Sequence, residues 1–400
     1  MTPAENELIT RVENDAPMGK YLKENHWFPA VHGEKLVAGG APVRVRLLGE
    51  NFVAWRADDG RVGFFREACP HRRASLLLAR NEDNALRCIF HGWKYGVDGT
   101  VLEVPTEPRN QAEFCKRVPL RHFPAREACG VVWVWLGEGE PGAFPDFEFM
   151  SLPEDHTYVV SQTLGCNWVQ DVEGGADSAH VAILHQSQMG ALAIPAKLTS
   201  DQAPIYEFEE LKGGYRYAAL RKMADNSLYA RVNLFIMPWF CMICPEILDR
   251  GDRLVIMSTP VDDTHVIHWM LRYNPTRPLS RSYANPAKEV DNWPPAPTGD
   301  AGNAWGQDRV AMGNNSFSGF SHINTEDFAV AMSQGPIVDR SNEFLNSGDL
   351  AVVRMRRLLL GAVRNFVKGE SDAAPIPYGT FRASGGILPH DAEDWRALHK

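Results

Sequence analysis

The chain has 400 residues, of which 44% are hydrophobic and 23% charged, a size and balance that suit a globular enzyme of two domains and exclude a disordered or fibrous chain. A formal charge of -9 with no clustered Lys/Arg run excludes a general nucleic-acid binder. No stretch approaches the ~18 uninterrupted apolar residues of a membrane span, and Met1–Glu7 lacks the charged start and apolar core of a secretory signal. A cytoplasmic protein with neither nucleic acid nor membrane as partner is therefore expected, and its seven cysteines, an odd number, suit thiols and metal ligands better than a disulfide framework.

From Asn6 to Val31 the chain reads as a short helix, an interruption at Pro17-Met18-Gly19 and an aromatic docking segment anchored by Trp27-Phe28-Pro29. Val43–Leu48 and Phe52–Arg56 alternate apolar and polar residues around Gly49-Glu50-Asn51, a hairpin signal, and Asp58-Asp59-Gly60 turns the chain into Val62–Phe65. Several short strands in a row predict a small all-β domain. That segment carries Cys69-Pro70-His71 and Cys88-Ile89-Phe90-His91. Two Cys-plus-His pairs on hairpin loops can give two thiolates to one iron and two imidazoles to the other iron of a [2Fe-2S] cluster, the Rieske arrangement. The competing reading is a Cys₂His₂ zinc site, but a zinc finger orders its ligands Cys, Cys, His, His on a ββα unit, whereas here Cys and His alternate on strand loops. Neutral histidines raise the potential of such a cluster and make it an electron relay. Just beyond, the Trp93 indole and the Tyr95 hydroxyl are candidate donors to its sulfurs. Cys115 and Cys129 read as small hydrophobes. Val131–Leu136 closes the domain, and Gly137-Glu138-Gly139-Glu140-Pro141-Gly142 marks a boundary between residues 1–145 and 146–400.

After the strand Thr157–Val160, Asn167 to His185 opens the second domain as a helix and crowds Asp177, His180 and His185 into nine residues. Two neutral imidazoles and a carboxylate with open positions are what a non-haem Fe(II) centre needs. Asp177 and His180 share a helix face, but His180 and His185 lie about 140° apart on an ideal helix. Both reach one metal only if the helix is widened or broken between them; otherwise they are ordinary helix residues. Tyr215–Arg221, Tyr229–Ile236, Leu254–Thr259 and Thr264–Tyr273 read as an antiparallel meander, which with helices on one face makes the fold α+β. Cys241-Met242-Ile243-Cys244 is a CxxC without a βαβ context and reads as structural, and His265 and His268 read as strand residues. Asn274–Ala304, with Asp291-Asn292-Trp293-Pro294-Pro295-Ala296-Pro297, predicts a long loop. Thr325–Met332 opens a helix in which Asp327 is a candidate for the missing metal carboxylate. Asp349–Leu360 is an amphipathic helix whose Arg354, Arg356 and Arg357, with Arg364 beyond, read as a solvated face.

With Cys69-x-His71 and Cys88-x-x-His91 ahead of Asp177-x-x-His180-x₄-His185, the chain resembles, over almost its whole length, the oxygenase component of Rieske non-haem iron oxygenases. Within that family it looks most like the phthalate dioxygenase group, from Pro17-Met18-Gly19, Cys69-Pro70-His71-Arg72, Cys166-Asn167-Trp168, Glu326-Asp327, Met332-Ser333-Gln334-Gly335-Pro336-Ile337 and Asp339-Arg340. The resemblance implies a Rieske [2Fe-2S] cluster on Cys69, His71, Cys88 and His91, and a mononuclear Fe(II) on His180, His185 and Asp327, with Glu326 the competing carboxylate. It also implies a helix-grip catalytic domain and a homotrimer, or two stacked trimers, in which each cluster faces the iron of a neighbouring subunit and Asp177 bridges a cluster histidine to an iron histidine. Electrons would come from a reductase carrying FMN, a [2Fe-2S] cluster and NADH, or from a ferredoxin, because the chain shows no Gly-rich dinucleotide fingerprint. The implied reaction joins O₂ to an aromatic carboxylic acid by ring dihydroxylation, or by hydroxylating a methoxy carbon with loss of formaldehyde. Arg221 and Arg231 are candidate carboxylate anchors, and Phe235, Met237 and Trp239 are candidate walls for the ring. The competing reading is a non-catalytic Rieske electron-transfer protein with a ligand-binding domain, which would hold two irons per chain instead of three.

Overall fold

The computed structural model describes residues 1–188, 202–223, 225–245, 251–279, 295–370, 376–388 and 394–399. Its contacts divide into two units: Gly19–Phe144 with Glu13–Asp15, and Pro145–Lys400 with Met1–Val12 and Ala16–Met18. Helix α1 (Pro3–Thr10) thus departs from its expected grouping. It opens on a capping box between Thr2 and Glu5, buries Ile9, and gives its Asn6 side chain to Val338 and Arg340 of the second unit. Pro17 also differs from expectation, since it begins α2 (Pro17–Asn25). Proline is suited to a first helical turn, where its fixed φ is already helical and its missing N–H has no partner to lose.

The first unit contains β1 (Trp27–His32), β2 (Val43–Leu47), β3 (Glu50–Arg56), β4 (Val62–Arg66), β5 (Arg80–Glu82), β6 (Ala85–Arg87), β7 (Lys94–Gly96), β8 (Val101–Glu103), the helix α3 (Gln111–Arg117), β9 (Ala125–Ala128) and β10 (Val131–Trp135). They form three antiparallel sheets, ordered β1-β10-β9, β2-β3-β4 and β5-β6-β7-β8. The β2-β3 hairpin turns through Leu48 and Gly49, with φ of 51° and 79°. Two positive φ values in succession match the right-handed twist of the flanking strands, and glycine takes one of them without strain. Trp55, Phe65, Leu76, Leu86, Trp93 and Tyr95 pack into a core that also encloses the side chains of Cys69 and Cys88.

The second unit holds β11 (Thr157–Leu164), α4 (Trp168–Ala176), α5 (Val181–Leu184), β12 (Ile205–Leu211), β13 (Gly214–Lys222), β14 (Leu228–Ile236), β15 (Phe240–Ile243), β16 (Arg253–Pro260), β17 (Val266–Tyr273), α6 (Arg309–Gly313), α7 (Ile323–Ser333), α8 (Leu350–Val367) and β18 (Ser384–Leu388). The expected meander is present: one antiparallel sheet runs β11-β17-β16-β15-β14-β13-β12, with β18 paired to β14. Helices α4 and α8 grip it. Tyr217 donates from its hydroxyl to the Ala176 carbonyl at 2.6 Å, and Tyr215 to the Ala351 carbonyl at 2.6 Å. The approach of α4 depends on Gly175, where a Cβ would come within 3.0 Å of Cys241.

Helix α8 turns Ala351, Met355, Leu359 and Val363 inward at the four-residue spacing of one face. Of the arginines expected on its solvated face, Arg357 and Arg364 are exposed, but Arg356 is not. Arg356 is buried and pairs with Glu173 at 2.6 Å and Glu343 at 2.5 Å, while Arg340 clasps Glu173 from the other side at 2.7 and 2.8 Å. Arg354 lies against the Phe208 ring and Glu210. Of the Pro-rich run, Asp291–Pro294 lie outside the described residues, and Pro295–Pro297 have no regular structure. No helix among the described residues is long and apolar enough to cross a membrane.

Candidate active site

Two loops of the first unit are built alike. The Cys69 N–H donates to the Ala74 carbonyl at 2.8 Å and the Arg73 N–H returns to the Cys69 carbonyl at 2.9 Å; Cys88 does the same with Trp93 at 2.9 Å and Gly92 at 3.0 Å. Four residues past each cysteine the backbone is left-handed, with φ of 62° at Arg73 and 72° at Gly92. The repeated geometry sets one Cys and one His on each of two matching turns. Both thiols are enclosed, at 1% and 3% exposure, and the Cys88 thiol is pushed up by burial and by the neighbouring Cys69. The imidazoles pair separately: the rings of His71 and His91 are 4.4 Å apart, both half-buried, and Nδ1 of His91 is enclosed without a hydrogen-bond partner among the described residues.

Sulfur donors inside and nitrogen donors outside are what the two ends of a Rieske cluster require, and the orphaned His91 nitrogen fits such a ligand. A lone zinc ion would instead need all four donors on one point. Of the two expected donors to sulfur, Tyr95 is in place, its hydroxyl 2.9 Å from Cys69 Sγ. The Trp93 indole is not: its N–H points to Thr106 Oγ1 at 3.4 Å, and its ring stacks on His71 at 4.4 Å and 7°.

In the second unit the expected helix is broken where the chemistry needs it. Helix α4 stops at Ala176, Asp177 is extended at φ -87° and ψ 127°, and α5 is a single turn with His180 at its start and His185 at its end. The break brings the two rings to 5.1 Å. His185 Nε2 lies 3.1 Å and His180 Nε2 3.6 Å from Asp327 Oδ1 on α7, so one atom from each of the three lies within 4.8 Å of the others. The opposite nitrogens are held by two more carboxylates. Asp177 Oδ2 is 3.2 Å from His180 Nδ1 and its Oδ1 accepts from the Ala179 N–H, while Glu326 Oε2 is 2.6 Å from His185 Nδ1. A carboxylate can only accept here, so each Nδ1 carries the proton and each Nε2 presents a lone pair.

The electrostatics ask for a cation. Burial works against charging His185, yet Asp327 and Glu326 outweigh it and push its pKa up to about 9; burial likewise opposes ionisation of Asp327 and Asp177, and the histidines hold both below the usual range. Two nitrogens and one carboxylate oxygen with positions left over suit iron(II).

A cleft of about 120 Å³ runs from this triad between α4, α7 and the sheet, on the scale of the ~150 Å³ cavity that takes up benzene. Ile243, Leu254, Ile256 and Met270 line it, with Arg231, Asn233, Asp171 and His268 among its polar groups. Arg231 is 4% exposed and its Nε has no hydrogen-bond partner among the described residues. Arg221 stands apart from the cleft: it is fully buried and its Nη2 donates to the Ser178 carbonyl at 2.8 Å, pinning the turn after Asp177. Phe235, Met237 and Trp239 do not line the cleft either; Phe235 shares a strand face with Arg231 and Asn233 but lies farther along, against Tyr215 under α8. Cys241 and Cys244 are buried free thiols. Sequence reasoning passed over Asp171 and the orienting function of Glu326. It also left His268 as an ordinary strand residue, although His268 and Met270 share one strand face.

Comparison with known proteins agrees with this geometry. Residues 26–124 match the Rieske [2Fe-2S] domain and residues 134–400 match the "LigXa C-terminal domain like" family. The chain is 37% identical to the phthalate 4,5-dioxygenase oxygenase subunit of Pseudomonas putida, over 99% of this chain and 94% of that one. It is 26% identical to the 5,5'-dehydrodivanillate O-demethylase oxygenase subunit of Sphingobium sp., over 94% and 84%. Its fold matches the terminal oxygenase of carbazole 1,9a-dioxygenase from Nocardioides aromaticivorans with a TM-score of 0.64 at 19% identity, covering 90% of this chain and 97% of that one. Thiols and imidazoles paired on twin loops, a histidine–carboxylate triad and these matches have one meaning: the chain belongs to the Rieske non-haem iron oxygenases, as an oxygenase component. Its cofactors are a Rieske [2Fe-2S] cluster and a mononuclear iron.

Proposed function

We propose that this oxygenase acts on an aromatic carboxylic acid, taking electrons that originate in NADH from a separate reductase carrying FMN and a [2Fe-2S] cluster, or from a ferredoxin. The observation that carries the reading is the cleft itself, an apolar slot of ring size with the triad at one end and the buried Arg231 guanidinium in its wall. In this reading Cys69, Cys88, His71 and His91 hold the cluster, and His180, His185 and Asp327 hold the iron. The cluster supplies electrons one at a time, and the iron supplies a place to bind and activate O₂.

The remaining work belongs to the chain. Asp177 and Glu326 keep both Nδ1 protons in place, so that the ligand nitrogens face Asp327 in a fixed orientation. Ile243, Leu254, Ile256 and Met270 seat the ring and keep water from the reacting carbon. Arg231 meets the carboxylate with a planar, permanently charged fork. In a homotrimer, or two stacked trimers, Asp177 links an iron histidine to a cluster histidine of the adjoining subunit.

Ring dihydroxylation is the leading outcome, favoured by the phthalate dioxygenase relative. O-demethylation of a methoxylated aromatic acid is the second, favoured by the dehydrodivanillate O-demethylase relative. Turnover with a reductase, NADH, O₂ and a panel of phthalate, benzoate and vanillate separates them: a cis-diol marks the first and formaldehyde the second. Neither product from any acid overturns the proposal. Asp177→Asn is expected to retain both cofactors while coupled turnover drops by about 100-fold; near-normal turnover in that variant would remove the bridge.

A further inference from the structure

One more buried pair faces the cleft. His268 of β17 is 5% exposed, and its Nδ1 lies 2.9 Å from Oδ1 of Asp171 on α4, itself buried. The Phe328 ring stands edge-on to the imidazole at 5.0 Å and 71°, which keeps the ring from swinging away. A carboxylate can only accept, so Nδ1 carries a proton and Nε2 is the atom left to meet something else. Nε2 is enclosed, has no hydrogen-bond partner among the described residues, and belongs to a side chain that lines the cleft. A ring nitrogen sealed from water without a partner is costly unless a bound molecule completes it.

The strand register shows where such a molecule would lie. His268, Met270 and Arg272 alternate onto the cleft face of β17, with Met270 opposite Ile256 and Arg272 opposite Leu254 of β16. His268 is thus the polar end of an apolar strip. Arg231 and Asn233 face the same cleft from β14, which is separated from β17 by β15 and β16. A flat ring on that strip has a cation-bearing side chain on one side and the Asp171-held imidazole on another. Burial opposes a second proton on His268, but the Asp171 carboxylate 2.9 Å from Nδ1 favours it, which makes Nε2 a donor as well.

We propose that His268, held by Asp171, is a second substrate anchor, whose Nε2–H donates to a ring-borne acceptor oxygen while Arg231 takes the substrate carboxylate. This rests on the aromatic-acid reading above and makes it narrower: the preferred substrate carries two oxygen functions, the second being a carboxylate or a phenolic oxygen. Asp171 acts through the imidazole and is a positioning residue.

The test measures dissociation constants calorimetrically, without O₂, for benzoate, phthalate and 4-hydroxybenzoate on the iron- and cluster-loaded oxygenase. In the wild type one of the two-function acids is expected to bind about tenfold tighter than benzoate. Phthalate in that place identifies a second carboxylate, 4-hydroxybenzoate a phenolic oxygen. In His268→Leu the ratio to benzoate is expected to fall below about threefold, in Asp171→Asn to fall less far, and in His268→Gln, whose amide still offers an N–H, to be partly kept. A purely structural role would weaken all three acids alike and leave the ratio untouched. A wild-type ratio preserved in His268→Leu, or a wild type that does not distinguish the three acids, overturns this proposal and leaves the aromatic-acid reading standing. A wild type that binds none of them overturns both.

Discussion

Glu326 faces no water at all: it is fully buried, with one oxygen 2.6 Å from His185 Nδ1 and the other accepting from Ser318 Oγ at 2.5 Å. Its neighbour Asp327 points to the other nitrogen of the same imidazole. Successive helix residues project about 100° apart, so two adjacent carboxylates can hold opposite edges of one ring. Glu326→Leu is expected to weaken iron binding by about 10- to 100-fold while the visible absorption of the cluster is unchanged. Titrating Fe(II) into chelator-stripped protein measures it, and Glu326→Gln, whose amide oxygen still accepts from Nδ1, should recover part of the loss. The sequence alone placed both carboxylates beside the metal but treated them as rivals, because which edge of a histidine a side chain meets depends on the path of another segment.

Helix α4 carries the approach to the site, and Glu173 fastens it. One carboxylate accepts from Arg340 and Arg356, which in turn reach Asn6 and Glu343. Removing one partner of a buried ionic network leaves charges without compensation, so Glu173→Gln is expected to cost about 3–5 kcal/mol in denaturant unfolding. A pH dependence goes with it. Burial alone would raise the Glu173 pKa, but Arg340 and Arg356 overcome burial and hold it below 4.5. A carboxylate more acidic folded than unfolded adds stability above pH 4.5, and that stability is lost as the pH falls below it. The unfolding free energy of the wild type should therefore fall across that range, and the variant should show a shallower acid limb. Arg356 misled sequence reasoning because four arginines on one helix look like a solvated face until another segment supplies the acid.

At the scale of the molecule, the two metal sites differ in access. The thiols of Cys69 and Cys88, proposed to hold the cluster, sit inside a hydrophobic core at 1% and 3% exposure, whereas the side chains of His180 and Asp327, proposed to hold the iron, are 25% and 37% exposed. Dialysis against a ferrous chelator is expected to remove one iron of three per chain and abolish turnover while the cluster absorption persists, and Fe(II) should restore activity. Metal analysis with a visible spectrum reads both. Loss of all three irons together would contradict the difference in access.

Local chemistry was legible from the chain by itself. The alternation of β2 and β3, the meander of β13, β14, β16 and β17, the order Cys, His, Cys, His, and the spacing of Asp177, His180 and His185 all rest on neighbouring residues and their periodicity. Short or atypical strands were not: β15 is four residues of unbroken apolar character, and β18 contains Gly385 and Gly386 and is a strand only because β14 pairs with it. Tertiary structure alone decided where α4 breaks, that Asp327 and not Glu326 completes the triad, that Arg231 and not Arg221 meets the cleft, and that His268 faces Asp171. The physical reason is sequence distance. His268 and Asp171 are 97 residues apart and His185 and Glu326 are 141 apart, and only the packing of helix on sheet determines which face meets which.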